Sequence, residues 1–300
     1  MLRILLLGKT GQVGHYLLRS LAPLGEVIAP DRAQLDFTRS GSIRATIRGA
    51  RPDVIVNAAG WTLVDQIEHD PELAMRVNGV APGIIAEEAR QCSALLVHYS
   101  TTFVFDGAKR KPYVEDDAPN PINAYGRSKL AGEQAVAAAG GRYLILRAAW
   151  TYSNRRSNFP LALLKLACAK KELAVVDDQV GSPTWAREYA EATAELLKHP
   201  DRARECGGIY HLSSAGQITR YRWARRIIEL AQEHQGERSG WATLRAIASS
   251  EYPHLAARPL YTLLDNSKIL SVFGIRMASW EDQLRAFMRE WAGRSDASLG

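Results

Sequence analysis

Tyr125 and Lys129 stand four residues apart in a stretch, residues 123–139, that reads as a helix, so both side chains share one face. A phenol with a free pKa near about 10 is a poor acid–base group at neutral pH. A neighbouring ammonium is expected to favour the phenolate and lower that value. Such a pair suits proton transfer to a carbonyl, and Lys129 also has the reach to bond a cofactor ribose. Thr101 follows an apolar run, residues 94–99, in Tyr99-Ser100-Thr101-Thr102. Ligands of open α/β sheets sit at the carboxyl ends of strands, which puts the Thr101 hydroxyl beside Tyr125 and a substrate carbonyl. β-propensity alone also accounts for a threonine there.

A second signal is Gly8-Lys9-Thr10-Gly11-Gln12-Val13-Gly14, between the strand-like residues 2–7 and the helix-like residues 15–24. Gly8, Gly11 and Gly14 allow a tight turn and close backbone approach to a pyrophosphate, which the next helix N-terminus attracts. The spacing is G-x-x-G-x-x-G, and it is not that of an NTPase phosphate loop. A tight turn with no ligand is the bland alternative. Asp31, 20 residues after Gly11, is placed to meet an adenosine ribose, or simply to cap a turn. Arg32 beside it suits a 2′-phosphate. Asp31 argues for NADH and Arg32 for NADPH, and the sequence leaves both open. Small residues in Asn57-Ala58-Ala59-Gly60 leave room for a cofactor ring.

These residues need a scaffold. Strand patterns at 2–7, 26–29, 54–58, 94–99 and 143–147 alternate with helical patterns at 15–24, 42–48, 71–91 and 123–139. A break is expected near Ala81-Pro82-Gly83. This alternation implies an α/β fold: a doubly wound parallel-sheet Rossmann domain over residues 1–150. The second half is less regular, with helices at 161–171, 187–197, 222–234 and 280–291 and short strands at 174–176 and 208–212. It reads as a smaller, mixed α/β substrate-binding region over 151–300, with parts of about 171–200 packing on the first domain. Residues 235–250 read as partly loop, and the tail 294–300 as frayed.

Composition excludes other classes. The 300 residues are 46% hydrophobic and 23% charged, as in globular domains rather than disordered or fibrous chains. No apolar run nears the roughly 20 residues of a membrane span. The first apolar stretch is shorter than a secretion signal and runs into the glycine turn, so a cytoplasmic location is expected. Cys92, Cys168 and Cys206 show no metal-ligand spacing and no even disulfide set, so no metal site is expected. The net charge of +6 is spread along the chain. Its densest cluster, Arg220, Arg222, Arg225 and Arg226, reads first as solvated helix surface and second as a binding feature. No stacking or basic-helix motif supports nucleic acid.

With these residues in view the chain resembles the extended short-chain dehydrogenase/reductases. Within them it is similar along nearly its whole length to the dTDP-4-dehydrorhamnose reductase family. The resemblance rests on the glycine turn and on Arg51-Pro52-Asp53-Val54-Ile55-Val56-Asn57-Ala58-Ala59, His98-Tyr99-Ser100-Thr101 and Val104-Phe105-Asp106-Gly107. It continues in Tyr125-Gly126-Arg127-Ser128-Lys129-Leu130-Ala131-Gly132-Glu133, Asp177-Asp178-Gln179-Val180-Gly181-Ser182-Pro183-Thr184, Ala257-Arg258-Pro259 and Phe273-Gly274-Ile275. It implies that Gly11, Gln12 and Val13 hold a pyrophosphate and that Asp31, Asp36 and Phe37 surround adenosine. Gly60, Trp61, Thr62 and Tyr99 then line the nicotinamide side, and Thr101, Tyr125 and Lys129 form the catalytic set. Trp150 contacts the sugar or nucleotide, with a buried core tryptophan as the alternative. Asn158 and Arg258 lie near the substrate, Arg258 alternatively in a surface ion pair. The implied activity is NADPH- or NADH-dependent reduction of the C4 ketone of a nucleotide-linked sugar. The implied partner is that nucleotide sugar, with neither nucleic acid nor membrane, and with a homodimer left open.

Three positions depart from the family pattern. Thr102 stands where an aspartate is usual, Gln66 where a lysine is usual, and Tyr261-Thr262 where Asn-Ser is usual. All fall on the expected substrate side, which keeps a different 4-ketosugar open. A non-catalytic regulatory subunit, like that of methionine adenosyltransferase, is a second reading. A nucleotide-sugar epimerase or dehydratase is a third.

Overall fold

The computed structural model describes residues 1–235, 240–253 and 255–295. In chain order they form β1 (Leu2–Leu7), α1 (Gln12–Leu21), β2 (Gly25–Ile28), α2 (Ser40–Ala50), β3 (Val54–Asn57), α3 (Val64–His69) and α4 (Pro71–Ala74). Next come α5 (Ala81–Gln91), β4 (Leu95–Thr101), α6 (Ala124–Ala138), β5 (Tyr143–Ala148), α7 (Phe159–Ala169), β6 (Glu172–Val176) and β7 (Val180–Gly181). The chain continues through α8 (Ala186–Leu197), α9 (Pro200–Glu205), β8 (Gly208–His211), β9 (Ile218–Thr219), α10 (Arg220–Gln235), β10 (Thr243–Ile247), α11 (Ser267–Phe273) and α12 (Trp280–Ser295).

Six strands form one parallel sheet in the order β2-β1-β3-β4-β5-β8. Helices cover both faces, which is why these strands read as continuous apolar runs. Along β1, Ile4 and Leu6 face a core shared with α1 and α8, while Leu5 and Leu7 face a core shared with α2 and α5. β1 lies between β2 and β3, so successive crossovers leave in opposite directions and open a crevice at the carboxyl edge. The glycine turn lies in that crevice. A separate core joins α7, α10 and α12 through Leu163, Leu164, Trp223, Ile227, Leu284 and Phe287. Among the described residues no helix is long and apolar enough to cross a membrane.

Several elements differ from expectation. α1 begins at Gln12, inside the expected turn. The expected break near Pro82 is absent: α4 runs through a π-helical turn, Met75–Val80, into α5. Pro82 has no N–H to give the preceding turn, and the wider turn absorbs that mismatch without stopping the helix. β8 joins the main sheet beside β5, so the sheet extends beyond residue 200. Thr243–Ile247, within the stretch read as partly loop, pairs in parallel with β6. α12 continues past Trp291 to Ser295. Of the tail read as frayed, residues 296–300 lie outside the described residues.

Candidate active site

The glycine turn is built by close backbone contact. Gly8 has φ +89°, and the Gly11 N–H donates to the Gly8 carbonyl at 2.9 Å. A Cβ on Gly14 would lie 2.0 Å from the Gly8 carbonyl oxygen, so the turn itself demands that glycine. A Cβ on Gly11 meets protein only at 3.2 Å, at the same oxygen. Gly11 is the N-cap of α1 and supplies no side-chain acceptor, so the first N–H groups of the helix are open to an anion. This set of uncapped donors fits a dinucleotide pyrophosphate. The fit yields a paired prediction. Gly14→Ala collapses stability and cofactor binding together. Gly11→Ala keeps the melting temperature within a few degrees but weakens NADPH binding at least tenfold. Thermal melts and nucleotide fluorescence titrations on both variants check it.

Around that turn the expected cofactor residues divide. Val13 packs on the α1 core and Phe37 on the α2 core. Asp31 is occupied locally: its Oδ1 accepts the Ala33 and Gln34 N–H groups at 2.9 and 3.1 Å. Arg32 is exposed. Asp36 caps its own turn through the Thr38 hydroxyl and N–H, and these bonds hold its carboxyl below the usual range. Lys9, which the spacing argument passed over, donates to the Ala29 carbonyl at 2.7 Å and ties the turn to the end of β2.

Tyr125 occupies the first turn of α6, and neighbours fix that turn. Asn123 caps it, its Oδ1 accepting the Gly126 N–H at 2.7 Å, while Glu68 of α3 accepts the Ala124 N–H at 2.7 Å. A Cβ on Gly126 would lie 2.1 Å from the Phe103 carbonyl oxygen, so α6 starts directly against the turn after β4. That contact sets the Tyr125 phenol beside Thr101, whose hydroxyl oxygen also accepts the Phe103 N–H at 3.2 Å. Thr101, Tyr125 and Lys129 are all buried. Burial pushes the phenol up to about 12, and the Thr101 bond acts in the opposite direction. The expected lowering by Lys129 is not what the geometry produces. Lys129 Nζ instead donates to the Tyr99 carbonyl at 2.6 Å, and burial lowers it to about 8 against the opposing pull of Glu133.

Lys129 also meets a buried chain absent from the sequence reading. Asn57 Oδ1 accepts the Ala59 N–H at 3.2 Å, which turns its Nδ2 toward His98 Nδ1 at 3.1 Å. The other ring nitrogen, Nε2, lies 3.3 Å from Lys129 Nζ. Burial, with the Lys129 charge added, holds His98 neutral by lowering its pKa well below the ordinary value. One turn further along α6, Glu133 forms a buried ion pair with Arg147 of β5 at 2.6 Å. Asn78, in the π turn, clasps the Trp61 backbone with both amide atoms at 2.8 and 2.9 Å and reaches Ser128 at 3.1 Å. It thereby ties the Gly60-Trp61-Thr62 segment to the helix of Tyr125 and Lys129. Trp61 packs beside Tyr125, and Gly60 and Thr62 are exposed.

Three expectations need correction. The Tyr99 ring does not line the cleft: its hydroxyl is 2.6 Å from that of Thr193 on α8, within the core, and only its carbonyl reaches Lys129. Strand alternation sends Tyr99 to the opposite face from His98. Thr102 is fully buried and its hydroxyl has no partner among the described residues, so it is enclosed rather than presented to a ligand. Asn158 caps α7 and gives its amide N–H groups to the Ser153, Arg155 and Arg156 carbonyls, so it shapes the loop there. Gln12 likewise bonds Ser153, across to that loop, at 3.0 Å.

Arg258 donates to Asp65 of α3 at 2.7 Å, and the neighbouring Ala257 carbonyl accepts from Asn123 at 2.8 Å. Trp150, directly after β5, has φ +43°, a conformation that costs a non-glycine residue energy and marks functional sites. It is part-buried, and Arg220 lies over its ring. The arginine cluster therefore splits. Arg225 and Arg226 pair with glutamates on the outside of α10, as expected for a solvated helix, and Arg220 turns inward. Among the described residues no cluster of side chains suits a metal ion.

Residues 2–292 match the family described as RmlD substrate binding domain. The chain is 41% identical to the dTDP-4-dehydrorhamnose reductase of Burkholderia thailandensis, over 93% of this chain and 95% of that protein. It is 38% identical to the Escherichia coli K12 protein of the same name, over 96% of this chain and 98% of that one. The crystal structure of dTDP-4-dehydrorhamnose reductase from Bacillus anthracis in complex with NADP superimposes with a TM-score of 0.89 at 30% identity, over 96% and 99% of the two chains. An uncapped helix at the sheet's switch point, a buried Thr-Tyr-Lys set at the carboxyl edge and this full-length likeness agree: the chain belongs to the dTDP-4-dehydrorhamnose reductase family.

Proposed function

We propose that this chain reduces the C4 ketone of dTDP-4-dehydro-6-deoxy-L-mannose, with NADPH or NADH, to give dTDP-L-rhamnose. The observation that carries the proposal is the Thr101–Tyr125–Lys129 set beside an uncapped helix N-terminus, in a chain whose full-length relatives bear that name. A reduced nicotinamide bound at the crevice supplies the hydride that adds to C4. Tyr125 gives its proton to the ketone oxygen as the carbonyl becomes an alcohol, and Thr101 holds that oxygen by hydrogen bonding. A phenol kept protonated by burial is in the state this direction of reaction requires. Lys129, one turn along the same helix face and held by the Tyr99 carbonyl, has the reach to orient the ribose. Residues 1–150, with about 171–200 packed on them, carry the dinucleotide, and 151–300 mainly meet the substrate. Every residue given a role lies in one chain.

The test is loss of reduced-nicotinamide absorbance on adding dTDP-4-dehydro-6-deoxy-L-mannose, with NADPH and NADH compared. Stoichiometric formation of dTDP-L-rhamnose is the expected result. Cofactor binding without oxidation of either nicotinamide would sink the proposal and point to another 4-ketosugar or to a regulatory role.

A further inference from the structure

Three buried side chains from three elements meet in a row: Asn57 of β3, His98 of β4 and Lys129 of α6. Asn57 Nδ2 stands 3.1 Å from His98 Nδ1, and His98 Nε2 stands 3.3 Å from Lys129 Nζ. Backbone sets the orientation of the Asn57 amide. Its Oδ1 accepts the Ala59 N–H at 3.2 Å, and a backbone N–H requires the oxygen, not the NH2, opposite it. The Ala58–Ala59 peptide is itself packed on the glycine turn, where a Cβ on Gly8 would lie 2.7 Å from the Ala59 nitrogen.

The hydrogens of this row do not all fit at once. Burial keeps the His98 ring neutral, and a neutral imidazole accepts at one nitrogen and donates at the other. Both of its neighbours carry N–H groups. The Asn57 amide nitrogen cannot accept, and Lys129 accepts only as the uncharged amine. With Lys129 charged, Nε2 accepts from the ammonium and the ring hydrogen on Nδ1 faces the Asn57 NH2. With Lys129 as the amine, the ring hydrogen sits on Nε2 and every group in the row has a partner. Turning the Asn57 amide would relieve the charged arrangement but would set its NH2 against the Ala59 N–H.

The charged groups nearby do not remove this conflict. Glu133, one turn along α6, favours the ammonium, but Arg147 of β5 holds it at 2.6 Å and the Ser100 hydroxyl bonds it too. On α3, Glu68 accepts the Ala124 N–H and Asp65 pairs with Arg258. Tyr125 is kept protonated by burial and adds no charge.

We propose that Asn57 and His98 are positioning residues for Lys129: they couple its charge to the tautomer of the His98 ring, and the Asn57 amide favours the uncharged amine. The inference rests on the reading of Lys129 as a cofactor contact and adds what governs its charge. NADPH binding weakens as Lys129 gives up its proton, at the same pH at which the imidazole hydrogen passes from Nδ1 to Nε2.

The test titrates 15N-histidine-labelled wild type from about pH 6 to about pH 10, which reads the tautomer directly, and repeats NADPH fluorescence titrations over the same range. One buried ring is expected to exchange its protonated nitrogen, with a midpoint shared by the loss of NADPH affinity. Asn57→Asp offers one oxygen to the Ala59 N–H and the other to the ring Nδ1–H, and raises that midpoint by about one to two pH units. Because the aspartate also adds charge, His98→Gln is the neutral control. Its amide turns an oxygen toward Lys129, and the midpoint of NADPH binding rises by about one pH unit. A set of buried rings that each keep one tautomer throughout would overturn the proposal, as would a midpoint that stays put or falls in either variant. Should His98→Gln fail to fold, the wild-type and Asn57→Asp titrations decide. A wild type that binds no NADPH would refute the cofactor reading, and the tautomer titration would still decide the coupling.

Discussion

Tyr125→Phe lowers turnover of the ketosugar by about 100-fold or more while NADPH binding stays within a factor of about three. The substitution removes one hydroxyl from a buried ring that packs against Phe103, with ring centres 5.5 Å apart, and leaves that packing intact. The proposed cofactor contacts lie on the glycine turn and on Lys129, which bonds the Tyr99 carbonyl and not the phenol. What is lost is the proposed proton donor. Single-turnover reduction with premixed NADPH separates chemistry from binding, and a variant that keeps full turnover would remove Tyr125 from the mechanism. The wild-type profile carries a second signature. Because burial holds the phenol up to about 12, reduction shows no loss from its ionisation until the pH approaches that value. An alkaline decline beginning nearer neutrality belongs to another group, and Lys129, lowered to about 8, is the one placed to cause it.

Glu133→Ala lowers stability by about 3–5 kcal/mol, because it strands a buried arginine. Glu133 accepts the Arg147 Nε and Nη2 hydrogens at 2.9 and 2.6 Å, and also bonds the Ser100 hydroxyl. Arg147 is fully buried, lies over the Phe105 ring at 5.1 Å and comes within 3.5 Å of His211. Its guanidinium cannot shed its charge at neutral pH, so removing the carboxylate leaves that charge without compensation. Urea denaturation measures the loss. The double variant Glu133→Leu with Arg147→Met recovers much of it, since replacing both members of a buried pair by apolar groups removes the stranded charge. No recovery would show that the pair matters through packing rather than charge. The effect reaches the site as well. Glu133 opposes the burial that lowers Lys129, so its removal makes Lys129 lose its proton at lower pH.

Much of this protein was legible from local pattern. Five strands of the parallel sheet, the glycine turn and the Tyr125–Lys129 face follow from spacings of two, three and four residues, which backbone geometry alone converts into direction. Glu133 was within reach of the same reasoning, being four residues beyond Lys129 on that face. Other features were not. β8 belongs to the main sheet because it pairs with β5, across residues 149–207, and a single strand pattern does not name its partner. The π turn that aims Asn78 at Trp61 comes from accommodating Pro82 inside a helix, where local rules favour a break.

The corrected residues share one cause. Asn158, Thr102 and Tyr99 each sit close in sequence to the site, yet their polar atoms are directed into the protein by contacts with the Ser153 loop, the enclosed turn after β4 and Thr193. Arg220 shows the reverse: its neighbours in sequence are solvent-facing arginines, and only the packing of α10 on Trp150 and Phe159 turns it inward. The sequence by itself determined the strand–helix order, the turn and the shared helix face of Tyr125 and Lys129, because each depends on residues a few positions apart. Tertiary structure alone decided the protonation of Tyr125 and Lys129, the His98 chain and the inward turn of Arg220. Those depend on burial and on partners brought together from distant strands, and desolvation has no local signature.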